Sequence, residues 1–448
     1  MRHLHHALVI LVLLVVPGNA RALTDEEVFR QLRINRINPG ARSLALGGAF
    51  VSLADDATAA QANPAGLSFL RVPEYFVELR SVDNEADSSI RTETLPGDIA
   101  TFVASGNDPG DVTSPSFLSL VTVRSKWAMG FSVQDLVNVD DTTASTFSFT
   151  TAVPDTFFSL QTGSIEIDVV NANVSVGGRI SNRMALGGTL TYSRLDVRSN
   201  VVNSIVDTSG SIVGEPIFEP TLDLQTTIDD VDEDVVFSLG FLYKQPKWQV
   251  GAVYRHGPDF LVTQEIVSAL DLDNDGEPDG FDFKGVADRL GRRFDNRFHL
   301  PDVVAVGASW LPNDLTTLAA DVEWVRHSNL ADGLVSGINV LTDEDWRFDG
   351  DDAADVHVGL ERILLNLENP LPPMALRFGA FSESDNTIEA TSTGAATIAP
   401  QGIFGGAGRQ EHLSIGVFFA LGRHKLDAAA DFADTDNEYV VSLIFQGK

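Results

Sequence analysis

The sequence feature that most constrains the fold is an alternation of apolar and polar residues, which recurs from about residue 72 to the C-terminus. A period of two places alternate side chains on opposite faces of a β-strand. We predict fourteen strands, at 72–82, 115–125, 127–138, 165–180, 184–200, 230–244, 248–256, 302–311, 315–328, 354–363, 373–382, 411–421, 424–433 and 437–445.

The connections between these segments are sorted by length. Tight turns fall at 125–126, 181–183, 245–247, 312–314 and 422–423. Between them lie long polar stretches at 83–114, 139–164, 201–229, 257–301, 329–353 and 383–410. One edge of the sheet therefore carries turns and the other long loops, which is typical of outer-membrane barrels with an even strand number.

The two faces of each strand support this interpretation. Leu318 and Val322 share one face of their strand, whereas Asp321 and Glu323 share the other. Apolar side chains toward lipid and polar ones toward a lumen explain the pattern, and a closed barrel satisfies every backbone hydrogen bond in lipid. We therefore predict an all-β protein, a 14-stranded antiparallel transmembrane β-barrel. The alternative is a large soluble antiparallel protein with one solvated face.

The N-terminus has the layout of a secretory signal. A basic head precedes the apolar run 7–16, and Ala20-Arg21-Ala22 is a small-x-small cleavage site. The run is shorter than the ~20 apolar residues of a spanning helix, although a membrane anchor is the alternative. We predict a signal peptide at 1–22, a hatch that plugs the lumen at 23–71, and the barrel with long extracellular loops at 72–448.

Charge and cysteine content exclude several classes of partner and bond. The net charge of -32 repels nucleic acid, and the absence of cysteine excludes disulfides. Acidic loops favour divalent cations that bridge to lipopolysaccharide, although the acids can equally serve only to solvate the loops. We expect contacts with outer-membrane lipid and lipopolysaccharide, no nucleic acid, and a monomer.

Residues 40–70, GARSLALGGAFVSLADDATAAQANPAGLSFL, carry the most specific motifs. Gly47-Gly48-Ala49-Phe50, Ala54-Asp55-Asp56-Ala57 and Asn63-Pro64-Ala65-Gly66-Leu67 resemble the N-terminal hatch of the FadL-type family of outer-membrane transporters. Residues 300–324 are similar to the middle barrel hairpin of that family. The resemblance implies a Gram-negative outer membrane and passive uptake of hydrophobic compounds, such as long-chain fatty acids or aromatic hydrocarbons, through a barrel gated by the hatch.

Within the hatch, we predict a gate at Asn63, Pro64, Ala65, Gly66 and Leu67. Pro64 fixes its own φ and disfavours helical geometry at Asn63, and Gly66 permits a positive φ. A rigid turn of this kind suits a gate, although it can equally serve only to end a helix before the first strand.

The third strand contains a break in phase. Trp127, Met129, Phe131 and Val133 share one face, and Leu136 falls out of phase with them. A β-bulge at Gln134-Asp135 explains the slip and bends the strand. Because the resemblance implies release through a gap beside a kinked third strand, we hypothesise a lateral opening there. A bulge without a role in transport is the alternative.

The long connection after the seventh strand has the oxygen-ligand spacing of an EF-hand-like calcium loop. The predicted ligands are Asp271, Asp273, Asp275, Glu277 through its backbone carbonyl, Asp279 and Asp282. Asp at the twelfth position and Pro278 inside the loop depart from the EF-hand pattern. We predict Ca²⁺ in this extracellular loop, against an acidic loop with chance spacing.

Motifs of catalysis are absent from the sequence. It contains no H-E-x-x-H, P-loop or G-x-S-x-G motif. His357 with Glu361, and Asp321 with Glu323, have the spacing of acid–base pairs, but on barrel strands we interpret them as polar residues of the lumen. We predict a channel for hydrophobic small molecules and not an enzyme. The alternative is a scaffold or secretion-shuttle barrel whose long loops bind protein partners.

Overall fold

The computed structural model describes 34–84, 91–94, 101–104, 112–150, 156–207, 220–268, 293–331, 338–339, 344–345, 348–365, 372–384, 389–390, 409–433 and 436–447. The predicted signal peptide at 1–22 and the predicted calcium loop at 271–282 lie outside these residues. So does the first part of the predicted hatch.

The described chain is almost entirely β-structure. The strands are β1 (Glu74–Asn84), β2 (Arg91–Thr94), β3 (Thr101–Ala104), β4 (Val112–Arg124), β5 (Trp127–Thr150), β6 (Thr156–Arg179), β7 (Met184–Asp207), β8 (Pro220–Lys244), β9 (Trp248–Arg255), β10 (Asp259–Ser268), β11 (Arg293–His299), β12 (Val303–Asn313), β13 (Thr316–Val325), β14 (Ile338–Asn339), β15 (Glu344–Asp345), β16 (Phe348–Asp349), β17 (Ala353–Leu364), β18 (Met374–Glu383), β19 (Glu389–Ala390), β20 (Gln410–Leu421), β21 (His424–Phe432) and β22 (Asp436–Gln446). The helices are α1 (Ala41–Ala45), α2 (Ala59–Ala62), a 3₁₀ helix (Pro64–Phe69) and α3 (Ser328–Ala331). No helix among the described residues is long and apolar enough to cross a bilayer.

Fourteen of the strands close into one antiparallel barrel. The order around the wall is β1-β4-β5-β6-β7-β8-β9-β12-β13-β17-β18-β20-β21-β22, and β22 pairs with β1. The hairpin β10–β11 keeps the register of β9–β12, because Asp259 opposes His299 as Arg255 opposes Val303. The prediction of a closed barrel with fourteen strands is confirmed, and each predicted segment corresponds to one of these wall strands.

Four strands are longer than the sequence predicted. The ladder between β5 and β6 continues to Thr150 and Thr156, and the ladder between β7 and β8 reaches Val206 and Pro220. Much of the stretches 139–164 and 201–229, predicted as loops, is therefore strand. The prediction was wrong there because Ser, Thr, Asn and Asp occur in both phases of these stretches, and the alternation that marks a strand with one apolar face is lost.

The wall has the orientation that the sequence predicted. Val304, Val322 and Val356 are about half exposed on the outer surface, whereas Asp321 and Asp427 are buried toward the lumen. Trp127, Trp248 and Trp310 lie exposed near the tight-turn end, and Trp324 lies exposed farther toward the loops. This is the arrangement of an aromatic belt around an apolar band.

Candidate functional site

The described part of the hatch fills the lumen. We divide it into the N-terminal segment, residues 34–38, and the hatch core, residues 39–70. Almost every residue of the hatch core is buried, including Phe50 and Leu67, each 0% exposed. Because residues of the 3₁₀ helix contact β5, β6, β7 and β8 near their tight turns, the core lies in the half of the barrel that carries the turns.

The turn at Asn63 is fixed to the wall. The Asn63 side chain accepts a hydrogen bond from the backbone N–H of Ala65 (3.2 Å) and donates to the carbonyls of Val51 and Phe241 (3.0 Å each). Asn63 is extended, with φ -161°, and Pro64 begins the 3₁₀ helix. One amide therefore connects two parts of the hatch core to β8.

Gly66 serves a different purpose from the one predicted. It is not among the glycines with positive φ in the described chain. A Cβ at Gly66 would lie 2.1 Å from the carbonyl oxygen of Ala54. The position therefore requires glycine because two backbone segments of the hatch core meet there.

A ring of glycines lines the inside of the wall at the level of the hatch core. A Cβ on any of them would lie less than 3.3 Å from a hatch atom. The ring consists of Gly130, Gly177, Gly187, Gly240, Gly251, Gly359, Gly379 and Gly416. Because the wall has no side chains at these points, the hatch backbone packs directly against the strands. This ring was not predicted from the sequence, although a signal existed, since several of these glycines occupy lumen-facing phases of their strands.

Ion pairs hold the hatch core to the opposite side of the wall. Arg42 contacts Asp55 (2.5 Å) and Glu361 (3.2 Å), and Arg377 joins Glu361 (2.7 Å) to Asp427. Burial alone would raise the pKa of the Asp55 carboxyl, but the neighbouring Arg42 guanidinium holds it below its usual value. The charged group is thus the stable form in the hatch.

Three of the four residues with acid–base spacing also bind the hatch core, and the fourth, Glu323, lies 3.6 Å from Arg255 of the wall. The Asp321 carboxylate accepts a hydrogen bond from the Val51 N–H (2.7 Å), and His357 Nδ1 lies 2.8 Å from the Gly47 carbonyl oxygen. Glu361 binds Arg42, as described above. All four side chains are buried toward the lumen, as predicted, and Asp321, His357 and Glu361 contact the hatch core.

The N-terminal segment occupies a break in the wall. Pairing between β4 and β5 ends at Phe117 and Gln134. Beyond it, Ile34 forms a β-bridge with Val137, and the Asn35 N–H donates to the Leu136 carbonyl (2.8 Å). The N-terminal segment therefore supplies the backbone pairing of β5 at this point, while β4 remains linked to β5 through Ser114 Oγ, which donates to Asp135 Oδ2 (3.0 Å).

The predicted bulge residues lie at this break. The ladder between β5 and β6 changes register between Asp135 and Val137, and Leu136 is the additional residue. Gln134 Nε2 donates to the Asn35 carbonyl at 3.4 Å. Gln134 and Asp135 thus contact the N-terminal segment, while Asn63–Leu67 lies deeper, against the glycine ring, and the structure does not bring the two predicted groups together.

A buried apolar cluster lies in the loop-side half of the lumen. It is formed by inward-facing side chains of β5, β6, β7, β10 and β11 together with the N-terminal segment, residue 300 and α3. Its members are Ile34, Val137, Val139, Ile167, Val169, Leu195, Val197, Phe260, Val262, Phe298, Leu300 and Leu330. The cluster adjoins the break between β4 and β5, because Ile34 and Val137 belong to both. The cluster was not predicted from the sequence, since most of its members fall in stretches predicted as loops or near strand ends.

A cavity of about 70 Å³ lies between the N-terminal segment and the wall. Asn35, Arg36, Gln134, Arg255 and Leu300 are among the residues that line it. Its volume is well below the ~300–1,000 Å³ of a typical ligand pocket. A molecule larger than a few waters therefore enters only if the surrounding side chains or the N-terminal segment move.

The described residues contain no group of three or more His, Asp or Glu side chains suited to a metal ion. The six predicted calcium ligands, Asp271 to Asp282, lie outside the described chain, so the prediction of a calcium site stays a prediction.

The sequence profile of one protein family matches residues 32–349 of the chain. This family is described as "Outer membrane protein transport protein (OMPP1/FadL/TodX)". The chain belongs to this family. The match covers more than half of the sequence, and it confirms the resemblance seen in the hatch motifs. No curated protein matches the chain significantly by sequence.

Solved structures of the family share the fold. A FadL homologue of Pseudomonas aeruginosa is 15% identical, with a TM-score of 0.56 over 88% of this chain and 95% of its own. The Ralstonia pickettii toluene transporter TbuX is 14% identical, with a TM-score of 0.54 over 92% and 100%. The P. putida toluene transporter TodX is 14% identical, with a TM-score of 0.51 over 92% and 99%. At these identities the similarity shows the fold alone.

This FadL/TodX-family chain is therefore a 14-stranded barrel of the Gram-negative outer membrane. Its family consists of outer-membrane transport proteins. The class of compound that passes and the way in which the hatch moves are taken up below as proposals.

Proposed function

We propose that this protein carries hydrophobic small molecules passively across the outer membrane, with the hatch as its gate. The observation that supports this most strongly is the apolar cluster around Leu195 and Phe260, which lies in the loop-side half of the lumen and includes no residue of the hatch core. Apolar side chains turned inward in a barrel wall favour binding of an apolar ligand, because a water-filled pore would be lined by polar groups.

The route out of the lumen runs through the break between β4 and β5. The cluster reaches this break at Ile34 and Val137, and the bulge at Asp135–Val137 bends the strand there. A ligand that leaves sideways reaches the apolar part of the membrane without crossing the hatch core. The predicted lateral opening at Gln134 and Asp135 is thus part of the proposal.

The start of the N-terminal segment, Ile34 and Asn35, is the part of the hatch that moves, because Arg36 is fixed to the wall by its ion pairs with Asp355 and Glu383. The hatch core is held by the glycine ring and by the ion pairs of Arg42, so its displacement would break many contacts at once. Ile34 and Asn35 contact the break itself through one β-bridge and a few hydrogen bonds. In this scheme the Asn63–Leu67 turn, which we predicted as the gate, anchors the core.

Long-chain fatty acids and aromatic hydrocarbons are the two candidate classes of ligand. Three neighbours in fold support the general class: a FadL homologue and two toluene transporters. The apolar cluster suits the apolar part of either class of ligand. The polar end group, which a fatty acid has and toluene lacks, therefore decides between the two classes.

The proposal is tested by uptake of isotope-labelled fatty acid and toluene in cells that lack their own hydrophobic-compound transporter. Expression of the full chain should raise the uptake of at least one of them. Leu195→Asn, which places an amide in the apolar cluster, should remove the gain. Arg194→Asn, at the neighbouring outward position, is the matched control and should retain it. Equal uptake with and without the protein would refute the proposal.

A further inference from the structure

The cavity behind the break contains buried polar atoms without a hydrogen-bond partner. Gln134, which is 3% exposed, donates through Nε2 to Asn35, but its Oε1 has no partner. The Nε atoms of Arg36 and Arg255 are also buried and unpartnered. Glu323 also lines the cavity, and its Oε1 is likewise buried without a hydrogen-bond partner. Residues with two unpartnered acceptor atoms and two unpartnered donor atoms therefore line one small space, and each such atom costs free energy when it is left unsatisfied.

One side of this cavity is continuous with the apolar cluster. Ile34 and Leu300 line the cavity and are members of the cluster, and Leu136 lines the cavity and packs against it. A ligand whose apolar body lies in the cluster would therefore place its end group among Gln134, Arg36 and Arg255.

The charges around the cavity do not favour an anionic end group. Arg36 contacts Asp355 (2.9 Å) and Glu383 (2.7 Å), and Arg255 lies 3.6 Å from Glu323. Both cations are therefore already paired. A ligand carboxylate would have to displace one of these buried carboxylates or lie beside it, and like charges at short range repel strongly in a site of low dielectric constant.

A pure hydrocarbon does not fit the cavity well either. It would displace water and leave the oxygen of Gln134 and the Nε–H of Arg255 without partners. An uncharged hydroxyl suits such a lining, because its O–H can donate to an acceptor such as Gln134 Oε1 and its oxygen can accept from a donor such as Arg255 Nε–H.

We propose that this cavity recognises the uncharged hydroxyl head of an otherwise apolar molecule, such as a long-chain alcohol, at the inner mouth of the lateral break. The proposal rests on the proposed function and names the ligand class of that same site. Gln134 is then a specificity-determining residue, because it hydrogen-bonds the end group of the ligand just before the ligand leaves the lumen.

The test uses three labelled compounds with the same twelve-carbon body: 1-dodecanol, dodecanoate and dodecane. Binding to the purified full chain in detergent and uptake by cells that express it are measured for each compound. The wild type should bind dodecanol about tenfold more tightly than either of the others, which corresponds to ~1.4 kcal/mol. Gln134→Leu should remove this preference and leave the binding of dodecane unchanged or improved.

Gln249→Leu is the matched control. Gln249 lies on β9 toward the tight turn, is not among the residues that line the cavity, and also has an unpartnered Oε1. This variant should keep the preference for dodecanol. If Gln134→Leu weakens all three compounds equally, or if the wild type prefers dodecanoate, the hydroxyl site is refuted while the transport function stands. If the wild type neither binds nor carries any hydrophobic compound, fatty acid and toluene included, the proposed function fails as well.

Discussion

Ile34 pairs with Val137 through an isolated antiparallel bridge, on the edge of β5 that β4 leaves free beyond Gln134. The two residues are 103 positions apart in the sequence. It closes the wall with a segment that is not itself a wall strand. Under the proposed function, displacement of Ile34 from Val137 is what opens the break for a ligand.

A disulfide between these two positions should lock the break. The chain contains no cysteine, so Ile34→Cys with Val137→Cys introduces a single possible bond. Residues paired across an antiparallel bridge lie within the Cα separation that a disulfide tolerates. We expect cells to lose most of the uptake that the protein supports when this disulfide is formed. A reductant that breaks the disulfide should restore the uptake.

The control disulfide joins the hatch core to the wall. Ala45 and Ala429 belong to one buried cluster, and their Cβ atoms lie 2.4 and 3.4 Å from the position of a Cβ at Gly416. Ala45→Cys with Ala429→Cys therefore brings two thiols close together, and the bond between them should leave uptake intact. If this second bond blocks uptake and the first does not, the hatch core is the moving part and the gate has been assigned to the wrong segment.

The glycine ring provides a prediction about stability. A Cβ at Gly177 would lie 2.4 Å from the Pro64 carbonyl oxygen, whereas no atom lies within 4 Å of a Cβ at Gly178. We expect Gly177→Ala to destabilise the folded barrel by ~1–3 kcal/mol through overpacking. Gly178→Ala should change stability by less than ~0.5 kcal/mol.

Urea unfolding in lipid vesicles, followed by tryptophan fluorescence, measures both free energies. The two variants make the same substitution at neighbouring positions of β6, so a general effect of alanine on the strand would appear in both. Equal stability of the two would show that the hatch core does not press against this wall.

The wall of the barrel and the irregularity of β5 near Gln134 and Asp135 were predictable from the sequence, whereas the contacts that the hatch makes there were not. Asp321 and Val322 alternate because one faces the lumen and the other lipid, and the period of two records this directly. The contact of Asn35 with Leu136 and the cavity beside Gln134 depend on how the hatch lies inside the barrel. No local pattern encodes that placement, since the partners are distant in sequence and the cavity is formed by several strands at once.

Removal of the buried cation Arg377 should be strongly destabilising. Arg377 contacts Glu361 and Asp427, and the side chains of Arg377 and Asp427 are each 4% exposed. Arg377→Met leaves Asp427 as a buried charge without its partner, at a cost of ~3–5 kcal/mol. Arg362→Met, at an exposed position on the neighbouring strand β17, should change stability by less than ~0.5 kcal/mol.

The same unfolding experiment checks this prediction. The double variant Arg377→Met with Asp427→Asn should recover part of the loss, because the unpaired charge is then removed. No recovery would indicate that Arg377 acts through packing, for example against the ring of Phe418, which lies 5.5 Å from its guanidinium carbon.

Aspartate side chains replace the backbone ladder where β10 meets β8. Asp230, Asp232 and Asp234 accept hydrogen bonds from the backbone N–H groups of Thr263, Leu261 and Asp259, at 2.7–2.9 Å. Backbone pairing of the two strands resumes only from Ile228 with Gln264. Side-chain carboxylates therefore attach this part of β10 to the wall.

Asp232→Leu should release the amide of Leu261. A hydrogen bond to a charged acceptor contributes ~1.5–3 kcal/mol, so we expect amide exchange at Leu261 to become at least about tenfold faster. Asp232→Asn retains an acceptor oxygen and should have a smaller effect. Hydrogen exchange followed by NMR in detergent measures the exchange rate of the Leu261 amide directly. Unchanged protection of this amide in Asp232→Leu would show that other contacts hold β10.

We propose, finally, that the extracellular loop after β10 binds calcium. Asp271, Asp273 and Asp275 have the spacing of hard oxygen ligands. Calorimetry on the metal-stripped full chain should show one Ca²⁺ per chain with a Kd of about 10⁻⁴–10⁻³ M, the range of extracellular calcium modules. Replacement of these three aspartates with Asn should abolish the binding heat, because it removes three negative charges from the ligand set. Asp314→Asn, in the tight turn between β12 and β13, should bind as the wild type does, and equal heats in all three proteins would place the calcium elsewhere.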